Sequence, residues 1–230
     1  MGATASGKSE LAVRLALRLG GEVVSADSMQ IYRGLDRGTA KPSRKERGGV
    51  PHHLIDIADI TEKYDVYRFR SDAEQCIADI RGRGRIPIVA GGTGLYLRAL
   101  LYGLDPLPAS EELRRELDEA FDSESRFPEL QRIMREQAPQ DYERFRNHRR
   151  KLIRAYEVLR LTGRQMTELQ KTRKKPECRK DARSFVLVWD NAVLRDRIYR
   201  RCGEMLASGW IEEAEHFLRK GLHDAPTAWQ

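Results

Sequence analysis

Hydrophobic positions recur along this chain with two different periods, and the period changes where the organisation changes. Leu11, Ala12, Leu15, Ala16 and Leu19 follow helical spacing, and Gly20-Gly21 ends the run. Glu22-Val23-Val24-Ser25-Ala26-Asp27 then predicts a short strand, and Pro51-His52-His53-Leu54-Ile55-Asp56-Ile57 a brief buried one. Residues 66–81 fit an amphipathic helix with Phe69, Ala73, Cys76 and Ile77 inward. Arg85-Ile86-Pro87-Ile88-Val89-Ala90 predicts a buried strand running into Gly91-Gly92-Thr93-Gly94. Strands alternating with helices predict an open α/β sheet.

From Asp105-Pro106-Leu107-Pro108 the strand period disappears, and the chain reads as charged helices. One of them carries Leu152, Ala155, Tyr156 and Leu159 on one face. Ser184-Phe185-Val186-Leu187-Val188-Trp189 predicts a strand returning to the sheet, followed by a helix striped with Leu194, Ile198, Cys202, Met205 and Leu206. The chain therefore divides into a core at 1–106, a helical insertion at 107–180, and the rest of the core at 181–230.

Charge adds a partner to this picture. The chain is 33% charged with a net charge of +7, which favours a polyanion. Two basic runs, Arg146–Arg154 and Lys171–Lys180, both lie in the insertion and turn that preference toward nucleic acid. The plainer reading of either run is a solvated face. No apolar stretch approaches the roughly 20 residues of a membrane span, and none reads as a signal peptide. Cys76, Cys178 and Cys202 are scattered without metal spacing, as free thiols in a reducing cytoplasm are. His52 and His53 lack ligand partners at metal spacing and read as structural.

Candidate chemistry begins at Gly2-Ala3-Thr4-Ala5-Ser6-Gly7-Lys8-Ser9, which fits the phosphate-loop pattern G-x-x-x-x-G-K-[ST]. Its glycines let the backbone curl around phosphate oxygens, and the following helix aims its positive end at the anion. Lys8 adds a point charge, and the Ser9 hydroxyl is placed to ligate a magnesium ion carried by the phosphates. Asp27 ends a strand, where open α/β sheets face their ligand crevice. The strand at 85–90 ends on Gly91-Gly92-Thr93 rather than on the magnesium-organising aspartate of many phosphate-loop enzymes, which argues against ATP hydrolysis. Arg197, Arg200 and Arg201 lie off the apolar stripe of their helix, available either to a phosphate site or to solvent.

Several motifs together resemble the tRNA dimethylallyltransferases. They are GATASGKS at 2–9, SADSMQIYRGLDRGTAKPS at 25–43, PHHLIDI at 51–57 and IPIVAGGTGLYLRALLYGL at 86–104. RKLIRAYEVLRLTGRQMTELQ at 150–170 and LRDRIYRRCGEMLASGWIEEA at 194–214 complete the set. The resemblance implies a P-loop kinase-like parallel sheet flanked by helices, with an inserted all-helical domain that grips the anticodon stem-loop. It also implies transfer of the dimethylallyl group of dimethylallyl diphosphate to the exocyclic amine of the adenosine 3′ of the anticodon, assisted by magnesium. Under it, Asp27 is the base, Thr93 bonds the diphosphate, and Arg197 is the second cation beside Lys8. Asp27, Ser28, Met29 and Gln30 line the pocket of a flipped adenine. Arg114 and the segment Arg150, Lys151, Leu152, Ile153 and Arg154 contact tRNA. A cytoplasmic monomer is expected. The chain departs from the family pattern at Phe145-Arg146-Asn147-His148 and at Arg37, where an apolar residue is usual.

In such folds a buried strand precedes the loop, whereas only Met1 stands before Gly2 here. The sequence is therefore expected to be truncated at both ends, to fold poorly and to be weakly active or inactive. Rival readings are an adenylate isopentenyltransferase, a small-molecule kinase on the same fold, and a non-catalytic RNA- or nucleotide-binding module.

Overall fold

The computed structural model describes residues 1–104, 107–171, 177–225 and 227–228, and half of the second basic run, 172–176, lies outside them. Two compact units emerge, one from Met1–Leu104 with Cys178–Gln230, the other from Asp105–Glu177.

The first unit holds a parallel three-stranded sheet. Helix α1 (Lys8–Leu19) leads through Gly20, in the left-handed conformation, into β1 (Gly21–Ser25). Strand β1 is central, between β2 (His52–His53) and β3 (Ile86–Ala90), with Val23 opposite His52 and Ile88. Strand alternation sends neighbouring valines to opposite faces. Val23 packs with Ala12, Val13 and Ala16 of α1. Val24 joins Phe69 and Ala73 of α2 (Val66–Gly82) and Tyr96 of α3 (Gly94–Tyr102). Phe69 and Tyr96 stack with ring centroids 3.9 Å apart. Helix α2 starts at Asp65, whose carboxylate accepts the Tyr67 and Arg68 N–H groups, an N-cap that satisfies amides the helix leaves open.

Several elements differ from expectation or qualify it. The strand expected over 51–57 shrinks to His52–His53, because Leu54 and Asp56 adopt left-handed φ angles of 60° and 58° and turn the chain out of the ladder. Strand β3 is half-exposed rather than buried, and α1 buries Val13 while Leu11 and Leu19 stay exposed. Leu11, Leu19 and the β3 residues line a groove of about 770 Å³ bounded by α1, β3 and the segment 182–187. The strand expected over 184–189 reduces to one bridge, Leu187 with Gly2, flanked by the bonds from Leu187 N–H to Met1 O and from the Met1 amino group to Phe185 O. Finally, α9 (Asn191–Ala207) carries the expected stripe without fully burying any of it. After α9 comes α10 (Trp210–Arg219), set off by Gly209 at φ 94°.

Among the described residues the second unit has helices and no strand: α4 (Glu111–Phe121), α5 (Phe127–Gln137), α6 (Pro139–Phe145), α7 (Arg149–Thr162) and α8 (Met166–Lys171). Its core joins Leu117, Leu130, Met134, Leu152, Ile153 and Val158. Fully buried Asp141 accepts the Met166 and Thr167 N–H groups and so caps α8. No helix among the described residues is long and apolar enough to cross a membrane.

Candidate active site

The loop at 2–9 wraps toward the start of α1, where Gly7 takes a left-handed φ of 88° and offers no side-chain cap. The first-turn N–H groups are thereby left to an anion, and the helix dipole favours one. Lys8 Nζ donates to Ala3 O at 2.5 Å, drawing its charge back over the loop. Burial lowers the Lys8 pKa, Arg201 lowers it further, and the nearby Asp27 carboxylate opposes both. Lys8, Arg201 and Asp27 therefore share one electrostatic environment.

Asp27 leaves the end of β1 and folds back on its own chain. Its Oδ1 accepts the N–H groups of Met29 at 3.0 Å and Gln30 at 3.3 Å, which orders the following residues into a turn. The Gln30 amide in turn donates to Thr39 O and Ala40 O, so the loop over 28–40 closes on itself. Met29 is half-buried and Gln30 buried.

Thr93 sits where β3 turns into α3 and is fastened to the same loop. Its N–H donates to Ala26 O, and its hydroxyl accepts the Ser28 N–H at 2.9 Å. Glycine is required just before it, since a Cβ on Gly91 would lie 2.1 Å from Ala26 O. A Cβ on Gly92 would lie 3.9 Å from Lys8 Nζ, which puts this turn beside the phosphate loop.

Arg197 reaches the loop from α9, its Nε donating to Ala5 O at 2.7 Å. Arg200 instead faces Glu204 on its own helix. Two residues outside the sequence expectations also belong here. The Trp189 indole N–H donates to Ser6 O at 3.0 Å, and Glu213 of α10 accepts the backbone N–H groups of Asp36, Arg37 and Gly38. The Arg37 side chain lies close to Gly209, so the departure from an apolar residue points away from the core.

In the helical unit, Arg150 and Lys151 are exposed at the start of α7. Leu152 and Ile153 are buried core residues, so their side chains face the interior of the helical unit. Arg114 and Arg154 both pair with fully buried Glu157 and keep 40% and 24% of their side-chain surface exposed. His53 Nε2 meets Glu22 at 2.7 Å, consistent with a structural role, and no cluster of three or more His, Cys, Asp or Glu residues able to hold a metal occurs among the described residues.

A phosphate loop beside a strand-end carboxylate and a Gly-Gly-Thr turn, with an arginine brought in from a later helix, has the make-up of a phosphate-loop site without the aspartate that many phosphate-loop ATPases carry after this strand. A family model described as IPP transferase matches residues 30–230. The tRNA dimethylallyltransferase of Halorhodospira halophila is 46% identical over 224 residues, covering 96% of this chain and 72% of that protein. The full-length tRNA isopentenylpyrophosphate transferase of Bacillus halodurans superposes with a TM-score of 0.66 at 38% identity, covering 100% of this chain and 72% of that one. A eukaryotic dimethylallyltransferase described as acting on tRNA gives 0.73 at 29% identity, covering 95% and 55%. The chain belongs to the IPP transferase family.

Proposed function

We infer that this protein transfers the dimethylallyl group of dimethylallyl diphosphate to the exocyclic amine of the tRNA adenosine 3′ of the anticodon, releasing diphosphate. Beyond family membership, the observation that carries this reading is the Thr93–Ser28 hydrogen bond. It ties the diphosphate-side turn to the loop that starts at Asp27.

In this reading the amine lone pair attacks the allylic carbon, the bond from that carbon to the diphosphate oxygen breaks, and Asp27 accepts the amine proton. Lys8, Arg197 and the open amides of α1 receive the charge that develops on the leaving diphosphate. The residues present suit magnesium only as an ion that the diphosphate brings with it: Ser9 offers one hydroxyl, and the described residues supply no carboxylate cluster. Ser9 would then hold the ion, which supplies further charge neutralisation. Asp27, Ser28, Met29 and Gln30 line the adenine pocket, while Arg114, Arg150, Lys151 and Arg154 contact tRNA phosphates and position the RNA without reading its sequence.

The kinase reading is disfavoured because β3 is followed by Gly91-Gly92-Thr93 rather than by an acid. A free-nucleotide acceptor gives the helical unit no task. The test is transfer of radiolabelled prenyl from dimethylallyl diphosphate with unmodified tRNA, AMP and no acceptor in parallel. Label in tRNA alone is expected, and label in AMP overturns the acceptor assignment.

A further inference from the structure

The arginine assigned to the diphosphate stands on a poorly anchored helix. None of the residues of α9 is fully buried, so packing of that helix does little to fix where the Arg197 guanidinium points. The loop it contacts is itself held in an unfavourable conformation. Ala5 has φ 56°, a left-handed value that a residue with a Cβ adopts only when its surroundings impose it.

Trp189 meets both needs. It lies one residue before Asp190, whose carboxylate accepts the Ala192 N–H and caps α9. The backbone that carries the ring is therefore tied to the start of the helix. Its indole N–H donates to Ser6 O at 3.0 Å, while Arg197 Nε donates to the adjacent carbonyl of Ala5 at 2.7 Å. The guanidinium carbon lies 4.6 Å from the Trp189 ring centroid, within cation–π range. Loop, indole and guanidinium thus form a closed triangle, in which two consecutive carbonyls are held by two side chains that also hold each other.

We propose that Trp189 is a positioning residue for the diphosphate site, setting the Arg197 guanidinium against the phosphate loop and pinning the Ser6 peptide. The proposal rests on the assignment of Arg197 as a diphosphate cation. Trp189 remains 41% exposed, so its role is orientation rather than core packing.

The test measures the affinity of inorganic diphosphate by calorimetry, and the KM values for donor and tRNA, in Trp189→Ala, Trp189→Phe, Arg197→Ala and the double variant Trp189→Ala/Arg197→Ala. Trp189→Ala is expected to weaken diphosphate binding and raise the donor KM about tenfold, with the tRNA KM unchanged. Trp189→Phe keeps a ring face without the N–H and should fall between wild type and Trp189→Ala. The double variant should be little worse than Arg197→Ala, because the two residues act as one unit. Multiplicative losses in the double variant, or a loss in only one single variant, overturn the proposal. A loss confined to Arg197→Ala leaves the assignment of Arg197 standing. Unchanged diphosphate affinity in both single variants removes Arg197 from the site and the proposal with it.

Discussion

Thr93 Oγ1 accepts the Ser28 N–H at 2.9 Å, so one hydroxyl at the end of β3 holds the first peptide after Asp27 at the end of β1. The Thr93 N–H adds a second tie to Ala26 O, and the two strand ends cannot move independently. Thr93→Val keeps the shape of the side chain but leaves the Ser28 N–H without its acceptor. We expect kcat to fall about 10- to 100-fold, from a misplaced Asp27 and a lost contact to diphosphate, with about 1–2 kcal/mol of stability lost. Thr93→Ser should recover most of both. Steady-state kinetics and urea denaturation of the two variants check this.

Glu213 acts on the same loop from the far end. Its carboxylate accepts from Asp36, Arg37 and Gly38, at 2.8 to 3.1 Å, and holds the segment whose next two carbonyls receive the Gln30 amide. Gly38 and Gly34 permit this docking, since a Cβ on either would run into Trp210 or Phe217. Glu213→Ala should cost about 2–3 kcal/mol through the amides left unpaired, and raise the tRNA KM more than the donor KM. Thermal melts and a comparison of the two KM values are the measurements.

Glu157 does for the helical unit what Glu213 does for the loop. It is fully buried, accepts the Ser110 N–H at 3.0 Å, and pairs with Arg114 and Arg154. Burial raises its pKa, but the Ser110 amide and the two arginines more than offset that, so the net shift is downward. A depressed carboxylate pKa contributes stability that is complete above the unfolded value and is lost as pH falls through the folded value. Glu157→Ala should lose about 3–5 kcal/mol near neutrality, because two arginines are left facing a buried void. The deficit should narrow as pH is lowered below the ordinary glutamate range, which melts at a series of acidic pH values would reveal.

The parts of this molecule that a sequence displays are those whose chemistry is local. The phosphate loop is contiguous, Asp27 is marked by the end of its strand, and the loss of strand period after Pro106 marks the helical stretch. Glu213, Glu157 and Trp189 left no comparable signal. Glu213 binds backbone amides of Asp36, Arg37 and Gly38 in a distant loop, and backbone partners leave no trace in residue identity. Glu157 reads as one more charge on a charged helix until its burial is seen. Leu54 and Asp56 end β2 by left-handed backbone angles that neither residue type advertises. The segment 184–189 has the composition of a strand, but a strand also needs partners, and composition cannot supply them.

The start of α7 offers a test of which charges meet RNA. Arg150 keeps 66% of its side chain exposed and lies 3.8 Å from Asp122, whereas Arg149 is tied to Asp122 at 2.6 Å. An exposed, loosely paired cation is the better phosphate ligand, since a tightly held one must first give up its carboxylate. Arg150→Ala and Lys151→Ala should each weaken tRNA binding about three- to tenfold at low salt. Each should also reduce the slope of log affinity against log salt by about one, with stability changed by less than about 0.5 kcal/mol. Ile153→Ala should show the opposite profile, losing about 2–4 kcal/mol of stability while leaving the salt slope of the folded protein unchanged, because its side chain is 1% exposed in the helical core. Filter binding over a salt series, set beside denaturation curves, separates the two. An unchanged slope in both Arg150→Ala and Lys151→Ala would move the RNA contact off this end of α7.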